Sequence, residues 1–229
     1  MSTKSMFIIS IEGNIGAGKT TILNNLQKKL ENDKRVLFLR EPVDIWETIV
    51  DKNTGKNILQ SFYTDPNKYA FTFQVMAYAT RLSHIRSAMK LNPECKIIVC
   101  ERSLEADKNI FAKMLYNDGK MDDLQYQIYN KFYNEYSTEF GLDGIVYIDT
   151  SAEKCYERIE KRNRSGESNI ELQYLKTCKE YHDKWLCENN NLDILHINTT
   201  NDVKYELNND KDEGTQWLCE IENYIYSKM

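Results

Sequence analysis

Residues 11–21 read IEGNIGAGKTT, the first place in the chain where residue types and spacing spell out a chemistry. Gly13, Gly18, Lys19 and Thr20 fit G-x-x-x-x-G-K-[ST], the pattern of a loop that wraps phosphate. Glycines let the backbone curl until its N–H groups face an anion, and a helix starting there adds partial positive charge. Lys19 would reach the β- and γ-phosphates of a bound ATP, and the Thr20 hydroxyl would sit on Mg²⁺. Asn14, Ile15, Gly16, Ala17 and Thr21 complete the loop around the donor phosphates.

Such a loop needs a strand before it and a helix after it. Met6–Ile11 is a short, mostly apolar run that reads as a buried strand, and Ile22, Leu23, Leu26 and Leu30 recur at helical spacing. Four more strand-like runs follow: Arg35–Arg40, Lys96–Cys100, Gly144–Ile148 and Asp193–Ile197. Helical patterns separate them, so the alternation predicts an α/β fold with a five-stranded parallel sheet covered on both faces. The stretch Phe62–Met89, carrying Asp65-Pro66 near its start, reads as one long helix, and Asp122–Glu139 as a second whose apolar side is rich in Tyr. Such an aromatic stripe suits core or a subunit interface. The segments Asn189–Leu192 and Asn208–Gly214 read as loops. With only 3 Pro and 9 Gly and no linker-like stretch, residues 1–229 form one domain.

A net charge of −5 and a pI near 5.4 argue against nucleic acid or an anionic membrane as the main partner. No apolar run approaches a membrane span. Met1–Ser5 enters the first strand almost at once, which leaves no room for a leader. The 6 cysteines show no metal-type spacing, so reduced thiols and a cytosolic setting are expected. His84, His182 and His196 are scattered and suggest no catalytic group.

In an open α/β sheet, ligands collect beyond the carboxyl ends of the strands. The second strand ends in Arg40-Glu41-Pro42, and Pro42 favours an extended Glu41. The third ends in Glu101-Arg102-Ser103 and the fourth in Asp149. Either Glu101 or Asp149 offers a magnesium carboxylate. Glu101 is preferred, because Thr150 and Glu153 fit a capping box that commits the Asp149 segment to starting a helix. Beyond that helix, Arg158, Lys161, Arg162 and Arg164 crowd together, as a mobile cover for transferred phosphate would.

Taken together, IEGNIGAGKTT, EPV with Trp46 beyond it, NILQSFY, FTFQ, ERS with Asp107, and the arginine-rich stretch with Glu167 resemble the deoxyribonucleoside kinases of the deoxycytidine and deoxyguanosine kinase type. The likeness runs in order from about residue 6 to 200. It implies a P-loop kinase fold with a lid at about 161–168, assembled as a homodimer through helices, with ATP as donor and a deoxynucleoside as acceptor. By position it implies that Glu41 faces the nucleoside 5′-hydroxyl with Arg102 beside it, and that Gln74 pairs with the base. It further implies that Tyr63 and Glu167 hold the sugar 3′-hydroxyl, that Trp46 and Phe73 wall the base pocket, and that Arg158, Arg162 and Arg164 close over the phosphates. Asp202 and Val203 would lie under the donor adenine. Glu105, Lys108 and Asn163 depart from the family pattern.

Arg81 follows Gln74 by seven residues, two helical turns, so both can face one pocket. Asp107, expected to open the helix after ERS, could pair with it. A carboxylate accepts from the amine of adenine or cytosine, and a guanidinium donates to ring nitrogens or the guanine carbonyl. Thymine offers a carbonyl where the carboxylate needs a donor. The expected order is deoxyadenosine and deoxyguanosine, then deoxycytidine, then thymidine, in nucleotide salvage. A nucleoside monophosphate kinase would want arginines where Glu41 stands. A GTP-dependent switch would carry a D-x-x-G and an N-K-x-D motif placed for switching, and neither is found so placed.

Overall fold

The computed structural model describes residues 6–137, 139–164, 166–188, 192–206 and 211–229. The expected leaderless start (1–5), residues 189–191 and 208–210 of the two expected loops, and Ser165 of the lid lie outside the described residues.

Five parallel strands form one sheet in the order β2-β3-β1-β4-β5. They are β1 (Phe7–Gly13), β2 (Val36–Leu39), β3 (Ile97–Glu101), β4 (Gly144–Asp149) and β5 (Ile194–Asn198). All five strands predicted from the sequence are present with small shifts at their ends, and the P-loop kinase architecture is as expected. The central strands are apolar on both sides because both faces are covered. One layer packs Ile9, Ile11, Val99, Val146 and Ile148 against α1 (Lys19–Lys29), α8 (Ala152–Arg162) and α10 (Glu213–Tyr226). The other face carries Ile8, Ile98 and Cys100 under α3 (Ile58–Thr64), α4 (Pro66–Leu91) and α7 (Asp123–Tyr136). Between β3 and α7, the short α5 (Leu104–Ala106) runs through a π-helical turn, Asp107–Ala112, into α6 (Lys113–Asn117). A short α2 (Val43–Glu47) follows β2, and α9 (Leu172–Glu188) precedes β5.

Two glycines of the phosphate loop are dictated by space. A Cβ on Gly13 would sit 2.6 Å from the Ile148 carbonyl oxygen, and one on Gly16 2.5 Å from that of Cys155. Both also have positive φ, which Gly alone adopts without strain.

Four local expectations are corrected. The helix read as Phe62–Met89 is two helices, because Asp65 leaves helical geometry (φ −141°, ψ 78°) and caps a new start with Pro66 in its first turn. The helix after Asp149 is capped by Ser151, which accepts from the Lys154 N–H, and not by a Thr150–Glu153 box. Thr150 is buried instead, bonded to Thr199 and the Ala17 carbonyl. Asp107 does not open the helix after ERS. Ser103 caps it, and Asp107 stands one turn on, where the backbone widens to π geometry. Glu213 and Gly214, read as loop, begin α10 behind an Asp212 cap. In the Tyr-rich helix α7, Tyr129 and Tyr133 are buried against Tyr78 of α4, so that part of the stripe is core.

Candidate active site

The carboxyl ends of β1, β2 and β3 open into one cavity of about 520 Å³. At its floor the phosphate loop turns from β1 into α1, with Gly18 in the left-handed region at the helix start. Lys19 is buried and lies back along the loop, its Nζ donating to the carbonyls of Gly13 (3.1 Å) and Asn14 (2.8 Å). Burial, together with the Arg102 charge, lowers its ammonium to about 8 against the pull of Glu101, Glu41 and Glu12. An anion in the loop would restore that charge. The next residue, Thr20, donates its hydroxyl to Glu101 Oε1 at 2.6 Å. A hydroxyl and a carboxylate at the mouth of a phosphate loop are hard oxygen donors suited to Mg²⁺. Among the described residues no group of three or more His, Cys, Asp or Glu could hold a metal by itself. Asp149, the alternative carboxylate, is tied to Lys179 at 2.9 Å.

A chain of charges runs along the cavity wall. Asp107 accepts from Arg81 Nε (2.8 Å) and Nη2 (3.2 Å), and Arg81 Nη2 also donates to Glu41 Oε1 (3.1 Å). Arg102 Nε reaches the same oxygen at 3.3 Å, and its Nη2 reaches the Gly13 carbonyl at 3.4 Å. Burial alone would raise the Glu41 carboxyl, but Arg102, Arg81 and Lys19 outweigh it and hold it at about 2. Burial likewise opposes the Arg81 charge, and Asp107 and Glu41 overcome it. Glu41 is therefore an ionised carboxylate at neutral pH, aimed at the phosphate loop by two guanidiniums.

The rest of the cavity is aromatic. Trp46 is fixed by its indole N–H on Thr80 Oγ1 (2.9 Å) and meets Phe73 edge-on, while Phe73 stacks on Phe62 at 4.7 Å. Gln74 is buried on the same wall, and its Oε1 has no hydrogen-bond partner among the described residues. Such an acceptor, buried without a donor, suits a ligand that brings one. Tyr63 and Glu167 both line the cavity, and the burial of Tyr63, with the nearby Glu167 charge, pushes its hydroxyl well up.

The three arginines of the lid divide into two groups. Arg162 and Arg164 both donate to Glu167, at 2.6 Å and 3.3 Å, because Asn163 (φ 47°) ends α8 and turns the chain back. Arg158 is held elsewhere. It donates to the Ala17 carbonyl at 3.1 Å, to those of Thr199 and Asn201, and to Asp202 at 2.9 Å, behind the phosphate loop. Arg158, Asp202 and Val203 thus form one end of the cavity, apart from the cluster of Arg162, Arg164 and Glu167. Sequence reasoning missed Phe111, Tyr174, Tyr205 and Trp217, which also line the cavity. No spacing in the sequence links them to a motif, and Phe111 reaches the cavity from the π-helical turn.

Residues 9–224 match the family model described as deoxynucleoside kinase. The chain belongs to the deoxynucleoside kinase family. It is 39% identical over 85% of its length to a fowlpox virus protein named "Probable deoxycytidine kinase", covering 79% of that protein. It is 32% identical over 96% of its length to chicken deoxycytidine kinase 2, covering 90%, and 30% identical over 91% to the mitochondrial deoxyguanosine kinase of Xenopus laevis, also covering 90%. The kinase is thus an ATP-dependent phosphotransferase acting on small nucleosides. Among its described residues no helix is long and apolar enough to cross a membrane.

Proposed function

We propose that this kinase transfers the γ-phosphoryl group of ATP to the 5′-hydroxyl of a deoxyribonucleoside, taking adenine, guanine or cytosine ahead of thymine, in nucleotide salvage. The observation that carries the reading is the unbroken contact from Asp107 through Arg81 and Glu41 to Arg102. A carboxylate in that position suits a hydroxyl acceptor, whereas a phosphate acceptor would be repelled by it.

Phosphoryl transfer through a loose transition state needs charge stabilisation and alignment more than covalent help. Lys19 and the loop N–H groups answer the charge on the moving group, with Arg162 and Arg164 released from Glu167 to face it. Thr20 and Glu101 would hold Mg²⁺, which would supply further positive charge there. Glu41 orients the 5′-hydroxyl and accepts its proton as the new bond forms, since a carboxylate is too weak a base to remove it earlier. Arg102 keeps Glu41 ionised and positioned. Tyr63 and Glu167 hold the 3′-hydroxyl, and Trp46 and Phe73 wall the base pocket beside Gln74. Arg81 and Asp107 read its polar edge, and the names of the relatives, deoxycytidine and deoxyguanosine kinases, agree with that choice. A homodimer through helices is supported by the exposed Leu124, Ile128 and Phe132, one turn apart on α7, beside a groove of about 330 Å³ between α4 and α7. Six free cysteines, four of them buried, suit a reducing cytosol. The test is kcat/KM for the four deoxynucleosides with ATP and Mg²⁺. Thymidine should be lowest by roughly a hundredfold, and a preference for thymidine overturns the base assignment.

A further inference from the structure

Arg102 has φ +66°, the left-handed region, which a side chain other than Gly adopts at a cost. Such a conformation persists where its surroundings over-determine it, and here the residues on either side are pinned. The Arg102 N–H donates to the Ile11 carbonyl at 3.1 Å. One residue on, both the N–H and the hydroxyl of Ser103 donate to one oxygen of Glu12, at 2.9 and 2.6 Å. Glu12 is wholly buried on β1, next to the first glycine of the phosphate loop. An ionisable group in the middle of an apolar sheet is expensive unless it does something that an apolar residue could not.

We infer that Glu12 is a positioning residue for phosphoryl transfer: its grip on Ser103 fixes the left-handed turn that aims Arg102 at Glu41 and the Gly13 carbonyl. The turn is what sends the guanidinium back across the loop. A relaxed Arg102 would leave the strand end in another direction. Ser103 also caps α5, accepting from the Ala106 N–H at 3.0 Å, so Glu12 ties strand β1, the turn and the π-helical segment bearing Asp107 into one rigid unit. Burial raises the Glu12 carboxyl, against the pull of Arg102 and Ser103. The role set out here depends on reach, not on charge.

This inference rests on the catalytic reading of Arg102, and the test separates the two. Steady-state kinetics would be measured for Glu12→Gln, Glu12→Asp, Glu12→Ala, Arg102→Ala and Glu12→Ala with Arg102→Ala. Gln keeps the reach without the charge and should stay within about threefold of wild type. Asp keeps the charge but falls short of Ser103, and it should behave like Ala. Both should lose on the order of tenfold to fiftyfold in kcat with nucleoside KM changed less than about threefold. On the Arg102→Ala background, Glu12→Ala should cost less than about twofold, because residues acting through one another are not additive. If Glu12→Ala does not fold, the opposition of Gln and Asp carries the same decision. An active Asp variant with an impaired Gln variant would overturn the inference in favour of a charge effect. An undiminished Glu12→Ala loss on the Arg102→Ala background would overturn it in favour of general structural support. A wild-type kcat in Arg102→Ala would overturn the catalytic reading and this inference with it.

Discussion

Replacing Glu41 with Gln removes one charge from the cavity and almost nothing else. The carboxamide keeps an oxygen where Arg81 Nη2 and Arg102 Nε now donate, at 3.1 and 3.3 Å. Arg81 also keeps both bonds to Asp107, so the fold should hold. What is lost is the proposed acceptor for the 5′-hydroxyl proton and the anion beside Arg102, whose guanidinium still meets the Gly13 carbonyl and the Phe111 ring at 4.4 Å. A positioned base contributes roughly a hundredfold to ten-thousandfold. A fall in kcat of at least about a hundredfold, or ~2.7 kcal/mol of barrier, is therefore expected. ADP release measured against varied nucleoside and ATP would report it, with nucleoside KM moving less than about threefold. The pH dependence adds a second reading. A carboxylic acid loses its charge as pH falls through its pKa, and Glu41 is held at about 2, below its ordinary 4.5. Wild-type kcat/KM for nucleoside should therefore show no acid limb from Glu41 between about pH 5 and 7. A Glu41→Gln enzyme with normal kcat and much weaker nucleoside binding would refute the reasoning and make Glu41 a sugar-binding group.

Lys19→Ala should abolish turnover while circular dichroism stays native, since Nζ touches only loop carbonyls, and a normal kcat would remove the phosphate loop from the mechanism. The double change Arg81→Met with Asp107→Ala should raise thymidine activity relative to purines, and an unchanged ratio would show that this pair does not read the base. Glu105 predicts a stability effect away from the chemistry. Burial raises its carboxyl from 4.5 to about 7, so the folded state binds more protons than the unfolded one in that window, and stability falls as pH rises through it. Glu105→Gln should raise Tm at pH 8 by several degrees, at most about 3 kcal/mol, and leave it nearly unchanged at pH 5. An equal gain at both pH values would point to packing instead.

The parts of this site that could be read in the sequence are those where one backbone geometry demands particular residues. Gly13 and Gly16 are fixed by carbonyls within 2.6 Å of where a Cβ would be, and the apolar strands before Glu41, Glu101 and Asp149 mark where the sheet must end. The Arg81–Asp107 pair was legible because helical spacing put Arg81 on the Gln74 face. Local choices between near-equal options were not. Thr150 and Ser151 are both competent caps, and only the tertiary contacts of Thr150 with Ala17 and Thr199 decide between them. Phe62 continues the apolar pattern of α4, but Asp65 and Pro66 break the backbone between them. Arg158 looks like its lid neighbours in sequence, yet Asp202, 44 residues on, sets it apart. Glu12 directly precedes the most conspicuous motif of the chain, and the signal that could have found it was a carboxylate in a mostly apolar strand.

At the centre of the proposed chemistry, Glu41 is presented to a nucleoside hydroxyl beside an ATP phosphate loop. Its most direct test is to incubate the enzyme with γ-labelled ATP and Mg²⁺, giving it a deoxynucleoside in one reaction and the matching 5′-monophosphate in another, and to locate the label. Label is expected on the 5′-oxygen of the deoxynucleoside, with none transferred to the monophosphate. Labelled diphosphate formed from the monophosphate, with the deoxynucleoside left untouched, would contradict it.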